Sequence, residues 1–263
     1  MAKSGKIKIK NGSLEFIKFG EGEKALVILP GLSYDGFSEK AEEIEAAYEI
    51  FKSEYTVYLI DRNLTPKTGY NVSDLAFDTA EALEKLGVKN ADVLGVSLGG
   101  MAAQLLAVNY PRLVNKLVLG STLSRPNKTF LEVLSHWETL IKRGDTESLI
   151  SDMNKNIYSP YTLKKYAAVF SAIKPTFTTD KTERFIKYVE AAKNFNAYNL
   201  LKRISAKTLV IGALKDKITT AASARETAAK LNCEYFEYKK YGHAVFDEAK
   251  NYKERVFNFL TES

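Results

Sequence analysis

Ser97, in Gly95-Val96-Ser97-Leu98-Gly99-Gly100, is the residue of this chain whose surroundings most suggest chemistry. An apolar run at residues 91–96 precedes it and a helical pattern at 101–109 follows, so a strand is expected to turn abruptly into a helix at Ser97. Such a turn strains its middle residue and holds the hydroxyl above the sheet, while glycines two residues to either side let backbone approach without Cβ clashes. A serine hydroxyl is a poor nucleophile without a base. The chain has two histidines, His136 and His243. His243 lies in Tyr241-Gly242-His243-Ala244, between the last expected strand and the last expected helix. Catalytic residues of open α/β sheets sit on loops at carboxyl ends of strands, which favours His243 as the base. His136 falls within a helical stretch and is expected on the surface or in packing, with access to a pocket depending on movement of that stretch. The base needs an acceptor to fix its tautomer and stabilise the imidazolium. Asp216 follows the strand expected at 208–211, whereas Gly120-Ser121-Thr122, after the preceding strand, offers no carboxylate. Oxyanion donors are expected at the backbone N–H of Leu98, just after the nucleophile, and of Leu32, in the loop after Leu29, where Gly31 permits close approach. Together these residues would transfer an acyl group to water through an acyl-enzyme on Ser97.

The elements that must position these residues are legible as an alternation. Residues 6–10 and 14–19 read as strands joined across Asn11-Gly12, a strong turn signal. The run at 25–29, ending at Pro30-Gly31, reads as a strand buried on both faces. Further strands are expected at 55–60, 91–96, 114–119, 208–211 and 233–238. Helices are expected from Ser38 to about residue 51, from Ser73 to Gly87, at 101–109, at 221–231 and at 246–260, with Ser38 and Ser73 as caps. This order predicts an α/β fold with a mostly parallel central sheet flanked by helices. After the sixth strand the alternation stops. Helical periodicity at 130–141, 149–157, 161–173 and 182–201 predicts an all-helical insert over 124–203, within a core made of 1–123 and 204–263.

Composition narrows the function classes. The chain of 263 residues has a net charge of +6, and residues 124–203 hold 14 Lys and Arg against 8 Asp and Glu, so the whole excess lies in the insert. A solvated helical surface is the simple explanation; a field steering anionic substrates is the sharper one, and it would make kcat/KM fall with ionic strength only for charged substrates. The basic residues are dispersed among acids and no recognition motif accompanies them, which argues against nucleic acid as a partner. No apolar run is long enough for a membrane span, the first ten residues lack a secretory apolar segment, and Cys233 is the single cysteine. A cytoplasmic setting is the resulting expectation. One cysteine and two distant histidines make no strong metal site, and no cofactor is implied.

Leu29-Pro30-Gly31, Asp61-Arg62, the 95–100 elbow, the strand and acid at 209–216 and Gly242-His243 together resemble the α/β-hydrolase superfamily, over roughly residue 26 to the C-terminus. Residues 95–104 are similar to the elbow of its enol-lactonase and haloperoxidase-like branch, and the insert resembles that branch's helical lid over the pocket. The chain departs from the pattern at Pro30, where many members have histidine, and at Lys207 and Thr219-Thr220, in regions that often carry proline. Serine at the nucleophile position argues against the dehalogenase and epoxide hydrolase branches, which use a carboxylate. The resemblance implies hydrolysis of a small carboxylic ester, thioester or lactone. A carbon–carbon bond hydrolase, an acyltransferase and a weakly catalytic ligand-binding or receptor protein remain alternatives on the same residues. Ser33, Tyr34 and Trp137 are candidate pocket residues, and Phe130, Leu134, Tyr166 and Phe170 are apolar insert residues that either line the pocket or pack between helices.

Overall fold

The computed structural model describes residues 1–172 and 177–262. Its eight strands are β1 (Lys3–Ile9), β2 (Gly12–Phe19), β3 (Lys24–Leu29), β4 (Tyr55–Ile60), β5 (Ala91–Val96), β6 (Val114–Gly120), β7 (Lys207–Ala213) and β8 (Glu234–Tyr238). They form one sheet in the order β1-β2-β4-β3-β5-β6-β7-β8. The pairs β1/β2 and β2/β4 are antiparallel, and every pairing from β4 to β8 is parallel. The connections are helical: α1 (Ala41–Ala47) after β3, α2 (Val72–Lys85) after β4 and α3 (Leu98–Asn109) after β5. Between β6 and β7 lie α4 (Lys128–Lys142), α5 (Thr146–Ile157), α6 (Pro160–Lys165), α7 (Ala167–Ala172) and α8 (Thr179–Lys193). The chain closes with α9 (Ala221–Leu231) after β7, then α10 (Val245–Glu248) and α11 (Tyr252–Thr261) after β8.

The apolar strand runs have a simple cause. Along β3, Val27 and Leu29 pack into one buried layer, with residues of α2, α3 and the insert. Leu26 and Ile28 pack into the other, with residues of α11. Side chains alternate along a strand, so a strand covered on both faces must be apolar at every position.

Helix ends depart from the periodicity more than strands do. The cap of α2 is Asn71, not Ser73: Asn71 Oδ1 accepts the amides of Ser73 (2.8 Å) and Asp74 (3.1 Å), and Asp74 Oδ2 accepts the Asn71 amide (3.0 Å). Ser38 does not cap α1; its hydroxyl donates to Glu15 at 2.8 Å, inside a 3₁₀ turn. The helix expected at 182–201 spans Thr179–Lys193, started by the Thr178 hydroxyl and ended at Asn194. The helix expected at 246–260 is broken at Ala249, whose φ of −86° and ψ of 112° are extended. The stretch expected at 161–173 divides at Tyr166 into α6 and α7, and Ile173 lies outside the described residues. Apolar spacing records which face of a helix is buried, but the first and last turns are decided by side-chain hydrogen bonds that leave no periodic trace.

Candidate active site

Ser97 ends β5 and begins α3 with φ 54° and ψ −120°, a region L-residues rarely occupy. The turn is held on both sides. The Ser97 amide donates to the Gly120 carbonyl at 3.0 Å, and the Ser97 carbonyl accepts the Thr122 hydroxyl at 2.8 Å. At Gly99 a Cβ would lie 2.0 Å from the Leu29 carbonyl oxygen, so only glycine lets the elbow sit against the end of β3. That contact brings the loop after β3 to the serine: a Cβ on Gly31 would be 3.1 Å from Ser97 Cβ.

His243 lies in the loop after β8, with its carbonyl accepting the Ser121 hydroxyl at 2.8 Å. The next amide, of Ala244, donates to the Ile157 carbonyl at the end of α5 at 2.9 Å. His243 Nε2 is 3.1 Å from Ser97 Oγ, and Nδ1 is 3.0 Å from Asp216 Oδ2 and 3.1 Å from Oδ1. Asp216 follows β7, and its remaining capacity is filled. Oδ1 accepts the amides of Ile218 (2.8 Å) and Thr219 (3.0 Å), and Oδ2 accepts the Thr219 hydroxyl (2.7 Å). Asp216 and His243 are 8% and 5% exposed, so the pair is shielded from water. Burial would push the Asp216 carboxyl up, but the His243 ring, the Thr219 hydroxyl and the Ile218 amide outweigh it and bring it down to about 2. An ionised carboxylate only accepts. His243 Nδ1 therefore carries the hydrogen and donates it to Asp216, which leaves Nε2 to accept from the Ser97 hydroxyl.

Ser97 and His243 open on a cavity of about 30 Å³, room for about one water molecule, so an acyl group enters only as the lining side chains move apart. The core contributes Leu32, Leu98, Met101 and Ile218 to its wall; the insert contributes Phe130, Leu134, Trp137, Ile157 and Ala192. Trp137 is fixed by its indole N–H, which donates to Asp152 Oδ2 at 2.7 Å. The amides of Leu32 and Leu98 have no hydrogen-bond partner among the described residues, and both residues line the cavity. Ser33 and Tyr34 do not line it. Tyr34 turns away to α8, its hydroxyl 3.3 Å from Thr182 Oγ1 and its ring centroid 4.0 Å from that of Phe177. Tyr166 is exposed, Phe170 packs on Tyr158 and His136 is exposed.

Three residues that hold the site in place carry no signal of their own in the sequence. Thr219 and Ser121 are ordinary loop residues until the fold puts them against Asp216 and His243. Arg62 is visible only as part of Asp61-Arg62 at the end of β4. Its buried guanidinium donates from Nη1 to the carbonyls of Gly31 (2.9 Å) and Ser33 (3.2 Å), and from Nε to Asp61 Oδ1 (3.0 Å). Among the described residues no three His, Cys, Asp or Glu side chains gather as a metal site, and no helix is long and apolar enough to cross a membrane.

The family model described as alpha/beta hydrolase fold matches residues 24–250. The 2-hydroxy-6-oxononadienedioate/2-hydroxy-6-oxononatrienedioate hydrolase of Pseudomonas sp is 27% identical, covering 95% of this chain and 92% of that protein. The 3-oxoadipate enol-lactonase 2 of Acinetobacter baylyi is 22% identical over 80% of this chain and 78% of its own. Among solved structures, the enol-lactonase from Burkholderia xenovorans LB400 superposes with a TM-score of 0.86 at 20% identity, covering 98% of this chain and 100% of that one. At that identity the superposition speaks for the fold alone.

Proposed function

The chain belongs to the α/β-hydrolase fold family, and from that premise we propose that it is a serine hydrolase cleaving a small carboxylic ester, thioester or lactone through an acyl-enzyme on Ser97. The observation that carries this reading is the unbroken line from Ser97 Oγ through the His243 ring to Asp216, with contacts of 3.1 and 3.0 Å. Ser97 Oγ attacks the substrate carbonyl as its proton passes to His243 Nε2, and Asp216 stabilises the imidazolium. The tetrahedral oxyanion is bound by the Leu98 and Leu32 amides. Collapse breaks the bond to the leaving group, which takes the proton from His243, and water then deacylates the enzyme by the same steps in reverse. The insert at 124–203 acts as a lid. Its α4, α5 and α8 roof the cavity, and the Ile157 carbonyl ties it to the loop of His243. Carbon–carbon bond hydrolysis is the second reading, favoured by the dioate hydrolase of Pseudomonas sp, which matches nearly the full chain. The single cysteine, Cys233, suits a reducing, cytoplasmic setting.

A fluorophosphonate tests the nucleophile. Attack by Ser97 Oγ forms a phosphorus–oxygen bond and expels fluoride, and the intact protein gains one phosphonyl group by mass. Labelling elsewhere, or none, removes the reading.

Arg62 enters this mechanism as a positioning residue. The peptide joining Gly31 to Leu32 is planar and trans, so its C=O and N–H point in opposite directions. Holding the Gly31 carbonyl on Arg62 turns the Leu32 N–H away from the guanidinium and strengthens it as a donor. Arg62→Met and Arg62→Lys are expected to lower kcat on an ester about 10- to 100-fold with KM changed less than about 3-fold, because the lost interaction is one made in the transition state. Thermal melts separate this from unfolding. Unchanged kcat in either folded variant would show that the loop holds its shape without the guanidinium.

A further inference from the structure

We propose that this site accepts acyl groups that are uncharged and apolar, and rejects those that carry a carboxylate of their own. The proposal rests on the serine-hydrolase reading above and narrows its substrate. Apart from Ser97 and His243, every side chain among the described residues that lines the cavity is apolar. Asp216, ionised and buried, lies directly behind His243. A second carboxylate on the acyl group would meet no cation or spare donor among the described lining residues, in a shielded space that already holds one negative charge. The oxyanion donors offer no alternative, because the developing oxyanion needs them.

The basic excess of the insert does not alter this, because no Lys or Arg side chain among the described residues lines the cavity, and several of the insert's cations are engaged elsewhere. Lys181 pairs with Asp35 at 2.6 Å, Lys187 donates to the Pro66 carbonyl at 2.9 Å, and Arg184 donates to the Tyr34 carbonyl at 3.3 Å. Lys193 and Lys142 both pair with Glu138. The helices that carry these residues present Phe130, Leu134, Trp137, Ile157 and Ala192 to the cavity. These five cations thus lie away from the cavity, and the apolar side chains of their helices meet the nucleophile. The dioate in the name of the Pseudomonas relative is a dicarboxylate, and no described side chain lining this cavity matches a second carboxylate.

The test compares three p-nitrophenyl esters: the hexanoate, the half-ester of adipic acid, which has the same chain with a terminal carboxylate, and the methyl adipate, which restores neutrality at greater length. The wild-type protein is expected to turn over the hexanoate and the methyl adipate, with kcat/KM for the adipate half-ester lower than either by about 100-fold or more. Leu134→Arg, which places a cation in the wall, is expected to narrow that ratio by at least about 10-fold. Comparable kcat/KM for half-ester and hexanoate in the wild type overturns the proposal and leaves the serine-hydrolase reading standing. Should no ester turn over, fluorophosphonate labelling of Ser97 gives the same comparison: 2-octanone slows it and 7-oxooctanoate does not, and equal protection overturns the proposal. Absence of both turnover and labelling removes the serine-hydrolase reading, and this proposal with it.

Discussion

Ser97→Ala is expected to lower kcat/KM toward p-nitrophenyl hexanoate by about 10⁵-fold and to abolish fluorophosphonate labelling, with the fold intact. The size follows from what the substitution leaves behind. His243 and Asp216 remain in place, but no covalent intermediate forms, and the oxyanion amides can only help a water molecule attack directly. A variant that keeps more than about 1% of wild-type activity would place the nucleophile elsewhere. The same position should also show the stability given up for reactivity. With φ at 54° and ψ at −120°, serine and alanine are strained alike at this position, whereas Ser97→Gly relieves the strain. Ser97→Gly is therefore expected to be more stable than Ser97→Ala by about 1 kcal/mol in urea unfolding while equally inactive.

How far such a site can be read in advance depends on what each residue answers to. The parallel sheet was legible because β3, β5, β6 and β7 are buried on both faces, and burial on both faces writes itself as an unbroken apolar run. The meeting of Ser97, Asp216 and His243 was legible for a related reason: each lies in the turn or loop that follows a parallel strand, and parallel strands bring their carboxyl ends to one side. Ser33 and Tyr34 lie outside the lining of the cavity, because position in a loop does not fix which way a side chain turns. Arg62 gathers the carbonyls of that loop on one side, and the Tyr34 ring goes to α8 and Phe177. The insert shows both limits at once. Its buried faces were periodic enough to place Trp137 at the cavity, yet its helix ends were not, because Thr178 and Asn194 act through local hydrogen bonds. Ser121 stays hidden because its role exists only across long sequence separation, on a residue 122 positions away, and Thr219 because a threonine three residues after an aspartate is ordinary loop sequence whose bond to the carboxylate only the folded loop sets.

The contacts of Asp216 make its replacement by asparagine unusually specific in outcome. Oδ1 takes two backbone amides, from Ile218 and Thr219, which an amide nitrogen could not do. The side chain of Asp216→Asn is therefore forced to keep oxygen at that position and to turn its NH₂ toward His243 Nδ1. A donor there compels Nδ1 to accept and Nε2 to carry the hydrogen, so Nε2 can no longer take the proton of Ser97. kcat on the hexanoate ester near neutral pH is expected to fall by about 10⁴-fold with KM nearly unchanged. Stability should change in a pH-dependent way that identifies the cause. The folded carboxyl sits at about 2, below its ordinary value of 3.8, so the stability it adds is present above about pH 4 and disappears as pH falls through about 2. The gap in unfolding free energy between wild type and Asp216→Asn should therefore narrow from about pH 5 to about pH 2, provided both remain folded in the absence of denaturant. A kcat within about 10-fold of wild type would mean that Asp216 neither selects the tautomer nor supports the charge on His243. A pH-independent gap would mean that its carboxylate is not held by His243, Thr219 and Ile218 in the way the distances require.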